Sequence, residues 1–448
     1  MHRNSSTVST KQQRIAQLAE QSPQMGFTSL AYLMDLDWLH EAYRRTKKDR
    51  AVGVDGQTAA EYEQDLEGNL RSLLERAKSG RYTAPPVRRT YIPKPNSPTE
   101  KRPIGIPTLE DKVLQRAVVM LLEPVYEQDF FDCSYGFRPK RSAHKALEAL
   151  WKQLMGTQGG WVLEIDIQQF FDTLDHAHLR TFLQQRVRDG VVLRLIGKWL
   201  NAGVMEDGSV SFPDAGTPQG GVISPLLSNI YLHYVLDEWF ESEIRPLLQG
   251  SSCLIRFADD ALLTFVREED ARRVLKVLPK RFAKYGLSLH PDKTRVIPFQ
   301  QPPRGATGKG GSPGQRSECF DLLGFTHYWG RSRKGQWVVK RKTASNRLRR
   351  ATRKIHDWCR WNRHLPLRQQ HRILSSKLWG HYSYYGITGN GAAISSFHHL
   401  VRGIWRQWLS RRHASKPMAW ERFHQLVERY PLPPARVVHS VTAHAAKP

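Results

Sequence analysis

Three aspartates, Asp166, Asp259 and Asp260, carry the chemistry most legible in this 448-residue sequence. Asp166 lies near the end of a short apolar run, 161–167 (WVLEIDI), with Gly159 and Gly160 before it. A glycine-bounded run of β-branched and aromatic residues predicts a strand over 161–167. Charged side chains are rarely buried alone, so an acid at the end of such a strand calls for a cation. Asp259 and Asp260 sit within 258–261 (ADDA), flanked by 254–257 (LIRF) and 262–265 (LLTF). Two apolar strands around a tight acidic turn predict a hairpin. Neighbouring strand residues point to opposite faces, but a turn relaxes that rule and lets two carboxylates converge. Like charges so placed repel, and a divalent ion relieves the repulsion. Few, hard oxygen ligands suit Mg2+, which fills its remaining positions with water and substrate phosphate. An Asp-Asp dipeptide is by itself an ordinary feature of surface turns. The apolar flanks and the second strand-borne acid set this one apart.

The rest of the chain indicates what such a site would act on. Hydrophobic residues make up 40% and charged residues 25%, an ordinary globular balance with room for two or three domains. Lys and Arg number 68 against 42 Asp and Glu, a net charge of +26. That excess argues against a default small-molecule enzyme and for a polyanion, either nucleic acid or an anionic membrane surface. No apolar run approaches the roughly 20 residues that span a bilayer, which favours nucleic acid. The charge is concentrated: residues 331–448 hold 25 Lys and Arg against three acids, with seven of the 13 tryptophans. Basic residues interleaved with Trp and Tyr suit phosphate contact and stacking. Arg347, Arg349, Arg350, Arg353 and Lys354 fall at helical spacings and predict a basic helix face, with Trp358 and Trp361 one turn further on. Residues 300–318, rich in Gly and Pro, predict a flexible loop, and the domain boundary is placed at 330/331 instead. The four cysteines show no CxxC spacing and the histidines no zinc motif, so reduced thiols and no zinc are expected. Residues 1–38 read as a leader without a signal peptide's apolar centre.

Further motifs bracket the acids in order: 52–57 (VGVDGQ), 91–94 (YIPK), 102–111 (RPIGIPTLED), 134–138 (SYGFR), 164–172 (EIDIQQFFD), 216–224 (GTPQGGVIS), 256–260 (RFADD), 290–295 (HPDKTR), 322–325 (LLGF), 377–385 (KLWGHYSYY) and 431–440 (PLPPARVVHS). With these the sequence resembles reverse transcriptases, and among them the reverse transcriptase/maturase proteins of bacterial group II introns, from about residue 39 onward. The resemblance implies an α+β right-hand polymerase fold. Fingers and palm with an antiparallel catalytic sheet would occupy 39–330, a helical thumb/maturase (X) domain 331–392, and a basic RNA/DNA-binding extension 393–448. It implies an RNA-directed DNA polymerase that copies intron RNA into cDNA by two-metal nucleotidyl transfer and assists splicing and mobility by binding that RNA.

Carried onto this chain, the resemblance makes Asp166, Asp259 and Asp260 catalytic and, with the Ile167 carbonyl, ligands of two Mg2+ ions. Lys94 and Arg102 would bind the triphosphate, and Phe171 would lie under the sugar and select deoxynucleotides. Gln219 would line the incoming base pair, and Lys293 would protonate the departing pyrophosphate. Implied partners are group II intron RNA, an RNA template with a DNA primer, target DNA and dNTPs, with no membrane, in the bacterial cytoplasm or a nucleoid-associated ribonucleoprotein. The sequence says nothing of oligomeric state. Two departures stand out. Phe257 replaces the usual Tyr beside the acids, and the paired-cysteine endonuclease of many relatives does not follow, so DNA cleavage is not expected. Two alternatives remain: a related reverse transcriptase serving phage defence or a CRISPR system, and a maturase without polymerase activity. The intact acids argue against the second, and the 431–440 ending against the first.

Overall fold

The computed structural model describes residues 2–93, 101–206, 208–212, 216, 220–303, 318–412 and 418–439. The chain forms two compact units, one of residues 1–146 and 162–296, the other of 147–161 and 297–448. The boundary expected at 330/331 falls inside a strand, Phe325–Arg331. Charge composition records what faces solvent, whereas compactness records which apolar side chains pack together, and the two divisions differ here.

The described strands are β1 (Val87–Pro93), β2 (Lys101–Ile106), β3 (Gly159–Ile165), β4 (Val204–Glu206), β5 (Ser209–Ser211), β6 (Ser252–Phe257), β7 (Asp260–Phe265), β8 (Arg295–Gln300), β9 (Phe320–Leu322), β10 (Phe325–Arg331) and β11 (Trp337–Thr343). They form three sheets, ordered β2-β1-β4-β5, β6-β7-β3-β8 and β11-β10-β9. Helices supply the other layers, so the protein is a mixed α/β structure. Among the described residues no helix is long and apolar enough to cross a membrane.

In the first unit the helix Leu109–Asp129 is the centre of packing. The Thr108 hydroxyl accepts the Asp111 amide at 3.2 Å, and Glu110 places negative charge at the helix N-terminus. Val113, Leu114, Ala117, Val118, Leu121 and Leu122 are fully buried. A helix apolar around most of its circumference belongs in a core.

In the second unit β9, β10 and β11 form an antiparallel meander. Four helices follow, Ser345–Trp361, Leu367–Tyr385, Gly391–Ser410 and Trp420–Arg429. Ile355, Leu374, Leu378, Tyr382, Phe397 and Trp405 form part of their common core. The buried Gln370 amide donates to the carbonyls of Asn362, Arg363 and Leu365, and its oxygen accepts from the Trp405 indole at 2.9 Å. One polar side chain thereby satisfies the turn between two helices from inside an apolar core.

Candidate active site

The acidic hairpin forms as the sequence predicts. β6 and β7 pair antiparallel from Ser252↔Phe265 to Phe257↔Asp260, which leaves Ala258 and Asp259 as a two-residue loop. Ala258 has φ +58, the positive value that the primed turns of tight hairpins require at their first position. Asp259 therefore stands at the tip, while Asp260 is the exposed first residue of β7.

Beneath the tip lies a residue to which sequence reasoning gave no role. Arg256 is fully buried and uses its guanidinium five times. Nε donates to Asp237 Oδ1 at 2.7 Å and Nη2 to the other Asp237 oxygen. Nη1 donates to Asn229 Oδ1 at 3.0 Å and to the Ala258 carbonyl at 3.1 Å, and Nη2 to Ser134 Oγ at 2.9 Å. Burial alone would weaken its hold on the proton, but the Asp237 carboxylate outweighs that and raises its pKa. The Ala258 bond ties the loop that carries Asp259 directly to this network.

The helix opposite is shaped to supply both partners. It runs as α-helix over Ser224–Leu232 and continues in wider π turns over His233–Asp237. In a regular α-helix, residues eight apart differ by about 80° around the axis. The wider turns reduce that offset, and both Asn229 and Asp237 reach Arg256. A lone Arg in the apolar run 254–257 was a readable signal; the π turns have none.

Asp166 and Ile167 lie just beyond β3, which spans 159–165 rather than the predicted 161–167. The strand starts earlier because Gly159, at φ +87, lets two backbones meet: a Cβ there would lie 2.1 Å from the Phe299 carbonyl oxygen. Beyond β3 the chain stays held, with the His290 amide donating to the Asp166 carbonyl at 2.8 Å and Ile167 bridged to Leu289. Lys293 Nζ stands 3.4 Å from the Asp166 carboxylate. Burial pushes the Asp259 carboxyl above its ordinary range; its own backbone amide and Arg102 draw it down, Asp166 pushes it up, and Arg256 draws it down. Asp166 and Arg102 thus act electrostatically on Asp259, and Lys293 adjoins Asp166.

Two mutually repelling carboxylates fit Mg2+, which binds through one or two carboxylates and leaves positions for water and phosphate. Among the described residues no group of three or more His, Cys, Asp or Glu side chains is placed to hold a metal. Asp166 and Asp259 act on one another electrostatically.

Of the adjacent phenylalanines, Phe170 is core, 2% exposed, while Phe171 is half-buried at 5.4 Å from it. Lys94 and Gln219 lie outside the described residues. The glycines flanking Gln219 are nonetheless placed. A Cβ on Gly216 (φ +94) would come within 2.8 Å of the Phe171 carbonyl oxygen, and one on Gly220 (φ +119) within 2.4 Å of the Gly105 carbonyl oxygen in β2. Gly216 thus lies against Phe171, and Gly220 against the strand that bears Arg102.

In the second unit Arg347, Arg349, Arg350, Arg353 and Lys354 all lie on the helix Ser345–Trp361. They do not form one uniform face. Arg349, Arg353 and Lys354 are exposed, whereas Arg347 and Arg350 are partly buried and act electrostatically on Tyr385. Trp361 is 74% exposed with the Arg360 guanidinium over its ring at 5.4 Å, while Trp358 is half-buried.

Residues 92–327 match the reverse transcriptase (RNA-dependent DNA polymerase) family, and the chain belongs to it. The match includes Arg102, Asp166, Phe171, Asp259, Asp260 and Lys293 and stops short of the basic helix. The chain is 40% identical over 233 residues to Protein YkfC of Escherichia coli, covering 50% of this chain and 61% of that protein. It is 38% identical over 222 residues to the group II intron-encoded protein LtrA of Lactococcus lactis, covering 49% of this chain and 37% of that protein. Nuclear intron maturase 2 of Arabidopsis thaliana is 28% identical over 182 residues, 32% of this chain and 24% of that protein. The chain covers less than two thirds of the length of each of these relatives.

Proposed function

We propose that the chain is an RNA-directed DNA polymerase of a group II intron, which copies intron RNA into cDNA and assists splicing and mobility by binding that RNA. The observation that carries the reading is the electrostatic coupling of Asp166 and Arg102 to the loop residue Asp259, in a chain of the reverse transcriptase family. Similarity to a protein named for its group II intron supports the intron assignment. In this reading the fold is a right hand, with fingers and palm over 39–330, a thumb over 331–392 and a basic extension over 393–448.

Asp166 and Asp259 would hold Mg2+, two ions by family resemblance, with the Ile167 carbonyl and Asp260 supporting. Bound there, the metal supplies charge to stabilise the entering and leaving oxygens of an in-line phosphoryl transfer. The chain's own groups do the positioning. Arg102 and Lys94 hold triphosphate oxygens, where cationic donors bond most strongly. Phe171 sets its ring against the sugar and excludes a 2′-hydroxyl, and Gln219 lines the base pair. Lys293, salt-bridged to Asp166 in the free protein, is placed to give a proton to the departing pyrophosphate. Exposed Arg349, Arg353 and Lys354 grip the phosphate backbone of intron RNA or of the template–primer duplex.

The test is primer extension on an RNA template with Mg2+ and dNTPs, wild type beside Asp259→Asn. Extension by wild type alone is expected. No extension by either, with tight RNA binding retained, would overturn the polymerase assignment and leave a maturase.

A further inference from the structure

The segment 133–138 of the first unit buries every residue but one. Cys133, Ser134, Tyr135, Gly136 and Arg138 are buried, while Phe137 among them is 61% exposed. Its backbone stands at φ +56, a left-handed conformation in which a bulky side chain is strained. Such strain persists only where the surroundings over-determine the chain, and here they do.

On one side Arg138 donates to both Glu127 oxygens at 3.0 and 3.1 Å and to the carbonyls of Phe131 and Ser134. On the other, the Gly136 carbonyl accepts from Asn229 at 2.7 Å. A Cβ on Gly136 would lie 2.3 Å from the Ala258 nitrogen, so this backbone rests directly on the catalytic loop. The Tyr135 amide donates to the Arg256 carbonyl at 2.8 Å. The result is a ring held out to solvent 6.2 Å from the Phe257 ring and inclined 42° to it.

We infer that Phe137 contacts substrate: with Phe257 it forms an apolar seat for the sugar of the primer-terminal nucleotide and favours a deoxyribose there over a ribose. The inference rests on the polymerase reading above and deepens it. A 3′-hydroxyl that reacts at the Asp166–Asp259 pair brings its own sugar within a few bonds of the loop tip. Phe257 is the last β6 residue before that loop, and Phe137 adjoins it. A deoxyribose presents C–H groups to such rings. A ribose would lay its 2′-hydroxyl against two apolar faces, losing water without gaining a partner. Packing of the fold does not account for a ring this exposed, because its neighbours supply the packing and it does not.

The test uses the full-length chain and primer–template duplexes identical except for a deoxy or a ribo nucleotide at the primer 3′ end. Affinity is read by fluorescence anisotropy, and KM and kcat by extension. Wild type should bind the deoxy-ended duplex at least about fivefold more tightly. Phe137→Ser should weaken deoxy-ended binding by about 5- to 100-fold, raise KM more than it lowers kcat, and erase the preference. Phe137→Trp, which keeps a flat apolar ring, should retain it. An unchanged preference in Phe137→Ser, or an equal loss on both ends with a lowered melting temperature, overturns the proposal. Because binding needs no turnover, a wild type that discriminates the ends but extends neither would refute the polymerase reading and leave the seat standing.

Discussion

Arg256 and Arg353 show the same side chain used in opposite ways by the two units. Arg256 is fully buried, paired with an equally buried Asp237, and spends every donor direction on Asp237, Asn229, Ser134 and the Ala258 carbonyl. Arg353 is exposed on a helix whose 17 residues include one acid, Asp357. A guanidinium taken out of water is held by its partners and fixes the geometry around it. One left in water costs nothing to carry and becomes valuable when a polyanion arrives and releases its counterions. Arg256 is thus spent on fixing the loop that carries Asp259, whereas Arg353 is left to solvent.

The comparison breaks most visibly at the loop tip. Asp259→Asn should reduce primer extension by about a thousandfold or more, while RNA affinity changes less than about twofold. A comparable loss in both assays would show that catalytic and binding surfaces are not separate.

Next in size is the buried pair. Asp237→Ala leaves Arg256 charged and unpaired, and should destabilise the protein by about 3–5 kcal/mol, read by urea denaturation. Replacing both together, Arg256→Met with Asp237→Leu, should recover much of that stability, since apolar pairs often substitute for buried ion pairs. Extension should stay impaired in the double variant, because the Ala258 carbonyl has lost its donor. Full activity in it would reduce Arg256 to a structural residue.

Smaller again is the effect of the exposed helix. Arg349→Ala, Arg353→Ala and Lys354→Ala combined should weaken RNA binding and reduce the slope of log affinity against log salt by about 2–3. Arg347→Ala with Arg350→Ala should change the slope less, because those side chains are partly buried beside Tyr385.

The smallest difference is in pH response. Burial and the nearby Arg341 hold His327 down at about 3, and burial holds His381 at about 4. Both stay neutral in the folded chain but accept a proton near 6.5 when unfolded. Their contribution to stability is complete above about pH 6.5 and declines as pH falls toward those folded values, by at most about 1.4 kcal/mol per unit for each histidine. In the first unit His233, lowered to about 3 by burial, acts likewise. There burial also raises Asp111 to about 7 and Asp129 to about 6, and such acids gain stability as pH falls from 7 toward 4. From pH 7 to 5, hydrogen exchange should therefore quicken in β10 and Leu367–Tyr385 before it does in Leu109–Asp129. Equal quickening would show that the two units lose stability together.

The sequence by itself determined the acidic hairpin, the strand leading to Asp166, the basic helix over 345–361 and the family, because each is a local matter of residue type and spacing. Alternating apolar runs around ADDA already fix a turn, and basic residues at helical intervals already fix a face. Only tertiary structure decided that Asp259, not Asp260, takes the loop position, and that Arg347 and Arg350 turn inward while Arg353 stays out. Only tertiary structure could bring Asn229 and Asp237 onto one side of a helix, through π turns that leave no periodic trace, or press Gly136 against a loop more than a hundred residues away. Spacing along a chain encodes contacts within a turn or a strand, and the groups that hold this site meet only when distant segments pack.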